Sequence, residues 1–446
     1  MDKINNEATT EESTTYAWYV VAVLMLAYTV AFIDRQILSL LVQPIKRDLG
    51  ISDTQIGLLA GFAFALFYSV LGVPIARLAD RHNRRALISV GVGLWSIMTA
   101  LCGLSKTYWQ LFLMRVGVGV GEATLSPAAY SMIADYFPPR KLGKAIGVYA
   151  MGLYGGAGLA MLAGSAVVAL VSEAGPISVP LLGTLYPWQL TFFAVALPGI
   201  FVLLLMATVK EPPRRELLAD GSAKITKPAP VPLREVFSFM SAHRKIIIGH
   251  FGGFLAIGIV VSAYLVWVPE FLRRSYGFSV AEGGFIYGTV LLLFGTSGAY
   301  SGGWLSEKLA DRGFKDAEMR AALIGGCTIL PLAVLAPLAP EKISGVFMLT
   351  LVSFVLSFPQ GLAPTILQLV APNRMRAQLT AVVMFIGVLA GYTIGPAAVA
   401  MMTDYLFKDE SALRYSLSIV SAVFVPMGIA FLWYGMKPFG QRSSTR

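Results

Sequence analysis

The feature that most constrains this chain is a succession of twelve apolar runs, each long enough to cross a bilayer. A hydrocarbon core of about 30 Å needs about 20 apolar residues in a helix. By that measure the runs fall at 16–42, 53–78, 86–105, 109–135, 143–171, 188–209, 244–271, 280–307, 320–338, 343–369, 376–404 and 413–436. Lipid offers no partners for backbone amides and carbonyls, so each run must close its own hydrogen bonds as a helix. Hydrophobic residues make up 56% of the sequence and charged residues 13%, about half the usual charge of a soluble domain. The expected fold is an all-α membrane protein with twelve transmembrane helices in two pseudosymmetric six-helix bundles.

One long polar stretch divides the runs. It contains EPPRRELLADGSAKITKPAPVPLREVF, and its proline and charge content reads as a linker. The division is then a tail at 1–15, a first bundle at 16–209, a linker at 210–243, a second bundle at 244–436 and a tail at 437–446. The end of the linker, Leu233 to Met240, is expected to form a short surface helix. Most of the 35 lysines and arginines fall on the side that carries both termini, and the positive-inside rule makes that side cytoplasmic. The expected location is therefore the cell inner membrane, with no cleavable signal peptide visible in the polar first 15 residues. The net charge of +10 is spread over short loops rather than clustered, which argues against nucleic acid as a partner. Cys102 and Cys327 lie in apolar runs, and three histidines are scattered along the chain, so neither a disulfide framework nor a metal site is expected. No cofactor is implied, and there is no phosphate-binding loop for an ATP-driven pump.

The two halves repeat weakly. ARLADRHNRR follows the second run and GGWLSEKLADRG contains the eighth run's end; FPPRKLGKAIG precedes the fifth and APNRMRAQLTA the eleventh. Such duplication is the layout in which a substrate binds between halves near mid-membrane. Asp80-Arg81-His82-Asn83-Arg84-Arg85, with Ala76 four residues earlier, resembles the loop signature of the major facilitator superfamily, two of whose glycines are replaced here. The resemblance implies a conformational latch at the cytoplasmic mouth. Asp80 would accept bonds from Arg374 and from the amide end of the eleventh helix; Glu307, in the degraded repeat, would face Arg140. Arg81 and Arg84 belong to the same expected gate.

Four charges lie inside runs: Asp34 and Arg35 in the first, Arg115 and Glu122 in the fourth. Charge at such depth is costly and marks an ion or substrate path. With about 1.5 Å rise per residue, Asp34 lies about 12 Å and Arg115 about 9 Å below the same membrane face, and Glu122 is two turns further along the face of Arg115. The resemblance places the first, fourth, seventh and tenth helices around the central cavity. Asp34 and Glu122 are the candidate proton sites, with Arg115 expected to hold them ionised and Arg35 free to meet an anionic headgroup. A static ion-pair cluster tying two helices together is the alternative. The seventh and tenth runs offer mostly uncharged side chains, and Tyr264, Trp267, Phe354, Phe358 and Gln360 are the candidate substrate contacts there. A cavity charged on one wall and apolar on the other suits an amphiphile.

The segment FIDRQILSLLVQPIKRDLGISDTQIGLL and the run from Arg115 to Glu122 go further and resemble the Spinster family. That resemblance implies transport of an anionic single-chain lipid, such as a lysophospholipid or sphingosine-1-phosphate. The leading expectation is a proton-coupled secondary transporter of such a molecule, not an enzyme, with substrate, protons and membrane lipids as partners and a monomer as the working form. A proton-linked organic-anion or multidrug carrier is the alternative within the fold, and a receptor or lipid scramblase lies outside it.

Overall fold

In a computed structural model of the protein, the structure describes residues 2–137, 139–172, 175–180, 183–213, 232–359, 361–372 and 375–443. The expected twelve-helix architecture is present. The first span is Asp2–Leu40, the second Asp53–Ala60 plus Phe62–Arg81, the third Arg84–Cys102, and the fourth Tyr108–Glu122 plus Leu125–Tyr136. The fifth and sixth are Pro139–Ser172 and Pro187–Thr208. After the linker come the seventh, Arg244–Tyr276, and the eighth, a helix from Val280 to Asp311 with a π-helical turn at Leu291–Gly295. The ninth is Ala317–Leu335, the tenth Lys342–Ser357 plus Leu362–Val370, the eleventh Arg376–Met401 with a π-helical end at Met402–Phe407, and the twelfth Leu413–Ser443.

Helix ends differ from the apolar runs in places. The first helix begins at Asp2 and the twelfth continues to Ser443, so helical backbone enters both expected tails. Among the described residues, ten helices are long and apolar enough to cross a membrane by length and composition. The fourth and fifth spans are not among the ten: the fourth breaks directly after Glu122, and the fifth contributes a shorter apolar helix, Gly155–Val171. The expected surface helix is present at Leu233–Ala242. A short helix, Val42–Leu49, and a two-stranded hairpin, Ile177–Val179 with Gly183–Leu185, lie at the end of the bundle away from the chain termini.

Within the first half, the first span packs on the fifth; within the second, the seventh packs on the eleventh and twelfth. Across the halves, the second span meets the eleventh, the fifth meets the eighth, and the first meets the seventh. The turns that enter the second and eighth spans are built alike. Gly50 and Gly277 each end the preceding helix in the left-handed conformation, with φ of 64° and 69°, a geometry glycine adopts without strain. Two residues later, Ser52 and Ser279 each form a reciprocal cap with the side chain three positions on, Gln55 and Glu282. Capping satisfies orphan amides and fixes where each span begins.

Each of these spans then presents two glycines one turn apart to the opposite half. A Cβ on Gly57 would sit 3.0 Å from the Pro396 carbonyl oxygen, and one on Gly61 would sit 2.0 Å from that of Tyr392. A Cβ on Gly288 would lie 2.9 Å from the Gly158 carbonyl oxygen, and one on Gly284 would run into Ser165. Small residues let the backbones of lipid-embedded helices meet this closely. The halves are therefore pressed together by two pseudosymmetric seams near the end away from the termini.

Candidate functional site

The fourth span explains how buried charges come together. Its alternating glycines take up neighbouring helices: a Cβ on Gly119 would lie 2.6 Å from the Phe64 carbonyl oxygen, and one on Gly121 would lie 2.7 Å from the Trp95 amide. That packing brings Glu122 against the first span. Arg35 donates from Nε to Glu122 Oε2 at 2.7 Å, and its Nη2 lies 2.5 Å from the same oxygen. The guanidinium also lies over three rings, 4.3 Å from Phe64, 4.9 Å from Phe32 and 5.2 Å from Tyr68. Cation–π attraction and the carboxylate together fix its orientation.

Arg115 makes its hydrogen bond to the main chain. Its Nη1 donates to the main-chain carbonyl of Asp34 at 2.8 Å, so it joins the fourth span to the first without gripping a carboxylate. The partner of Glu122 is Arg35, which the sequence reading left free for a substrate. Asp34, Arg115 and Glu122 are each at most 1% exposed. Neither oxygen of the Asp34 carboxyl has a hydrogen-bond partner among the described residues; the same holds for Glu122 Oε1 and for Arg115 Nε and Nη2. Buried charge of this kind is expensive, and unsatisfied polar atoms in a native core call for a functional reason.

Arg35 also lines a narrow cavity between the halves. Gln36, Ser39 and Phe64 line it from the first half, and Leu265, Val266 and Tyr392 from the second. The expected contacts on the seventh span face elsewhere. Tyr264 donates its hydroxyl to the Ala333 carbonyl at 2.6 Å, and Trp267 Nε1 donates to the Pro396 carbonyl at 2.9 Å. Both are buried within the second half, because helical rotation turns Leu265 and Val266 toward the first. Phe354 and Phe358 are partly buried, with their carbonyl oxygens close against Gly298 and Gly302 of the eighth span. Gln360 lies outside the described residues. Tyr392, which sequence reasoning missed, carries the polar side chain of the second half at this cavity.

A second ionic constellation was also missed. At the end away from the termini, Arg274 of the seventh span holds Asp53 of the second with two bonds, Nη1 to Oδ2 at 2.6 Å and Nη2 to Oδ1 at 2.8 Å. Arg274 Nε also meets Glu270 at 2.5 Å. Lys46 Nζ reaches Asp53 at 2.5 Å and Glu410 at 2.7 Å, and Gln43 donates to both Glu270 and Glu410 at 2.9 Å. Beside them, Thr54 donates its amide and hydroxyl to Asp404 at 2.6 and 2.7 Å. The network joins both halves. Asp53 already stood in the stretch that carries the Spinster resemblance, and EFLRR places Glu270 and Arg274 one helical turn apart. Those were the available signals.

The expected latch at the opposite end is only partly placed. Arg374, and the side chains of Asp80, Arg81 and Arg140, lie outside the described residues. Glu307 is exposed. Arg84 is 1% exposed and binds Asp135, Glu211 and the Pro212 carbonyl. Asp135 belongs to the fourth span and Glu211 and Pro212 to the start of the linker, so these bonds brace the first bundle and tie the linker to it without reaching the second bundle.

Comparison with known proteins fits this geometry. The sequence profile of the Major Facilitator Superfamily matches residues 24–396. An MFS-type efflux pump of Mycolicibacterium smegmatis is 30% identical over 436 residues, covering 94% of this chain and 92% of the relative. A probable L-galactonate transporter of Escherichia coli is 23% identical over 422 residues, covering 93% and 88%. Among solved structures, a bacterial homologue of the human lysosomal transporter Spinster, inward-facing and unoccupied, superposes with a TM-score of 0.76 at 29% identity, over 96% of this chain and 97% of the other.

Proposed function

Because the chain belongs to the major facilitator superfamily and is a multi-pass membrane transporter, we propose that it moves an anionic amphiphile by proton-coupled alternating access. A lysophospholipid or a sphingosine-1-phosphate-like lipid fits this class. The observation that carries the reading is the cavity wall: Arg35, paired with Glu122, lies beside Phe64, Leu265 and Val266. An arginine offers a phosphate or carboxylate bidentate bonds; the cavity is only about 10 Å³ in this arrangement, so the apolar residues would line a chain's path once the halves part.

Coupling follows from competition for Arg35. When an anionic headgroup takes the guanidinium, Glu122 loses its counter-charge in a dry site and binds a proton. Asp34, whose buried carboxyl oxygens have no hydrogen-bond partner among the described residues, is the second proton carrier. In this reading the network of Asp53, Arg274 and Glu410 closes the outer mouth, the termini lie in the cytoplasm, and the protein works as a monomer in the cell inner membrane. The weaker latch residues, Asp80 with Arg374 and Glu307 with Arg140, would close the opposite mouth in the alternate state.

The galactonate relative favours a second reading, a small organic anion held by Arg35 alone. Uptake of labelled lysophospholipid and of labelled sugar acid into proteoliposomes, with and without an imposed proton gradient, separates the two. The proposal expects saturable, gradient-dependent lysolipid transport that Arg35→Gln abolishes. Gradient-independent movement of many lipids, or transport of sugar acid alone, would overturn it.

A further inference from the structure

At the end of the second half that carries the C-terminus, His243, Arg244 and Lys245 line an open cleft with Gln441 and Arg442. Its volume is about 420 Å³, large enough for a phosphorylated headgroup. No carboxylate lines it among the described residues. Cations that merely set topology would sit on mobile loops, whereas Arg442 is built in. Its Nη2 donates to the Val370 carbonyl at 3.0 Å, its guanidinium lies 5.2 Å from the Phe239 ring, and Nη1 abuts His243 Nε2. Arg244 and Lys245 stand exposed at the mouth.

The surroundings place this cleft at a lipid surface. The helix Leu233–Ala242 buries Val236 and packs Phe239 and Met240 against Ile247, Leu367 and Leu379, leaving Phe237 56% exposed on its other side. One turn before Pro438, Trp433 is 68% exposed, and exposed tryptophan favours the headgroup level of a bilayer. A basic cleft between transmembrane helices at that level suits an acidic lipid headgroup.

The geometry points to a binding site for an anionic phospholipid headgroup of the surrounding leaflet, separate from the central cavity. The phosphate would rest on Arg442 and the mouth cations, with its acyl chains along the twelfth span.

Native mass spectrometry of the full-length protein, titrated with phosphatidylglycerol or phosphatidylcholine in detergent, tests this. The wild type should retain phosphatidylglycerol over phosphatidylcholine, and R244Q/K245Q should lower that preference about thirtyfold. Inorganic phosphate at millimolar concentration should leave the retained lipid in place. Arg35→Gln should leave the preference intact, which separates this site from the transport cavity. Because Arg442 also anchors backbone, the exposed K245Q variant, checked by its melting temperature without lipid, provides the fold-neutral arm and should lower the preference less. Equal retention of both lipids by the wild type, an unchanged preference in R244Q/K245Q, or displacement by phosphate would overturn the proposal.

Discussion

Two ionic clusters lie in this bundle, and they differ in how completely their charges are met. The network at the end away from the termini, the outer end in the proposed function, saturates Asp53 with Arg274 and Lys46 and gives Glu270 bonds from Gln43, Arg273 and the same Arg274. The cluster around Arg35 lies wholly in the first half and leaves both Asp34 oxygens and one Glu122 oxygen without hydrogen-bond partners among the described residues. A saturated network between halves holds one arrangement of them. An unsatisfied cluster inside one half is ready to take on a proton or a ligand. In the proposed function the two have separable jobs, one setting which mouth is shut and the other setting what is carried.

The largest expected effect comes from the unsatisfied cluster. Glu122→Gln removes the carboxylate that holds Arg35, and breaking one side of a buried pair costs about 3–5 kcal/mol. Gradient-driven uptake in proteoliposomes should fall at least about 100-fold, and Asp34→Asn should act similarly. Accessibility at the outer end should not change, read as maleimide labelling of a cysteine introduced at Thr54. Strong labelling in Glu122→Gln would mean that the clusters are not separable.

Arg274→Gln should do the reverse. It leaves Asp53, fully buried, with Lys46 alone, a loss of about 3 kcal/mol from the closed outer end. Labelling at position 54 should rise by tenfold or more, while substrate affinity at equilibrium stays within about threefold of wild type. A lost affinity with unchanged labelling would assign Arg274 to the substrate site.

Gly61→Ala sharpens the same contrast without touching charge. The added methyl would stand 2.0 Å from the Tyr392 carbonyl oxygen, and overpacking of this kind costs about 1–3 kcal/mol. The outer seam should loosen and labelling should rise several-fold, less than with Arg274→Gln. Gly303→Ala, where nothing lies within 4 Å of the added Cβ, serves as the control and should change little.

What could be read from the sequence follows the same division. Asp34, Arg35, Arg115 and Glu122 stood out because a charge inside an apolar run is anomalous at its own position. Their pairing did not, since Arg35 and Arg115 are both within reach of the acids and only helix rotation decides between them. Lys46, Asp53, Arg274 and Glu410 looked like ordinary charges at helix ends, and only the folding of three distant segments reveals them as one network. Tyr264 and Trp267 were plausible cavity residues by type, but the seventh helix faces the cavity with the two residues between them. The twelve spans were legible throughout because lipid imposes length and hydropathy on every helix.

Glu410 sets the lower bound of the comparison. Its side chain is 54% exposed, yet it meets Lys46 at 2.7 Å and Gln43 at 2.9 Å. Exposed pairs contribute about 0–1 kcal/mol because water screens them and side-chain entropy opposes them. Glu410→Gln should therefore raise labelling at position 54 no more than about fivefold, and salt should reduce even that difference. Asp53 lies beneath the same lysine and is 0% exposed, so its neutralisation should matter far more. If Glu410→Gln opened the outer end as fully as Arg274→Gln, the rim and not the buried pair would be the lock.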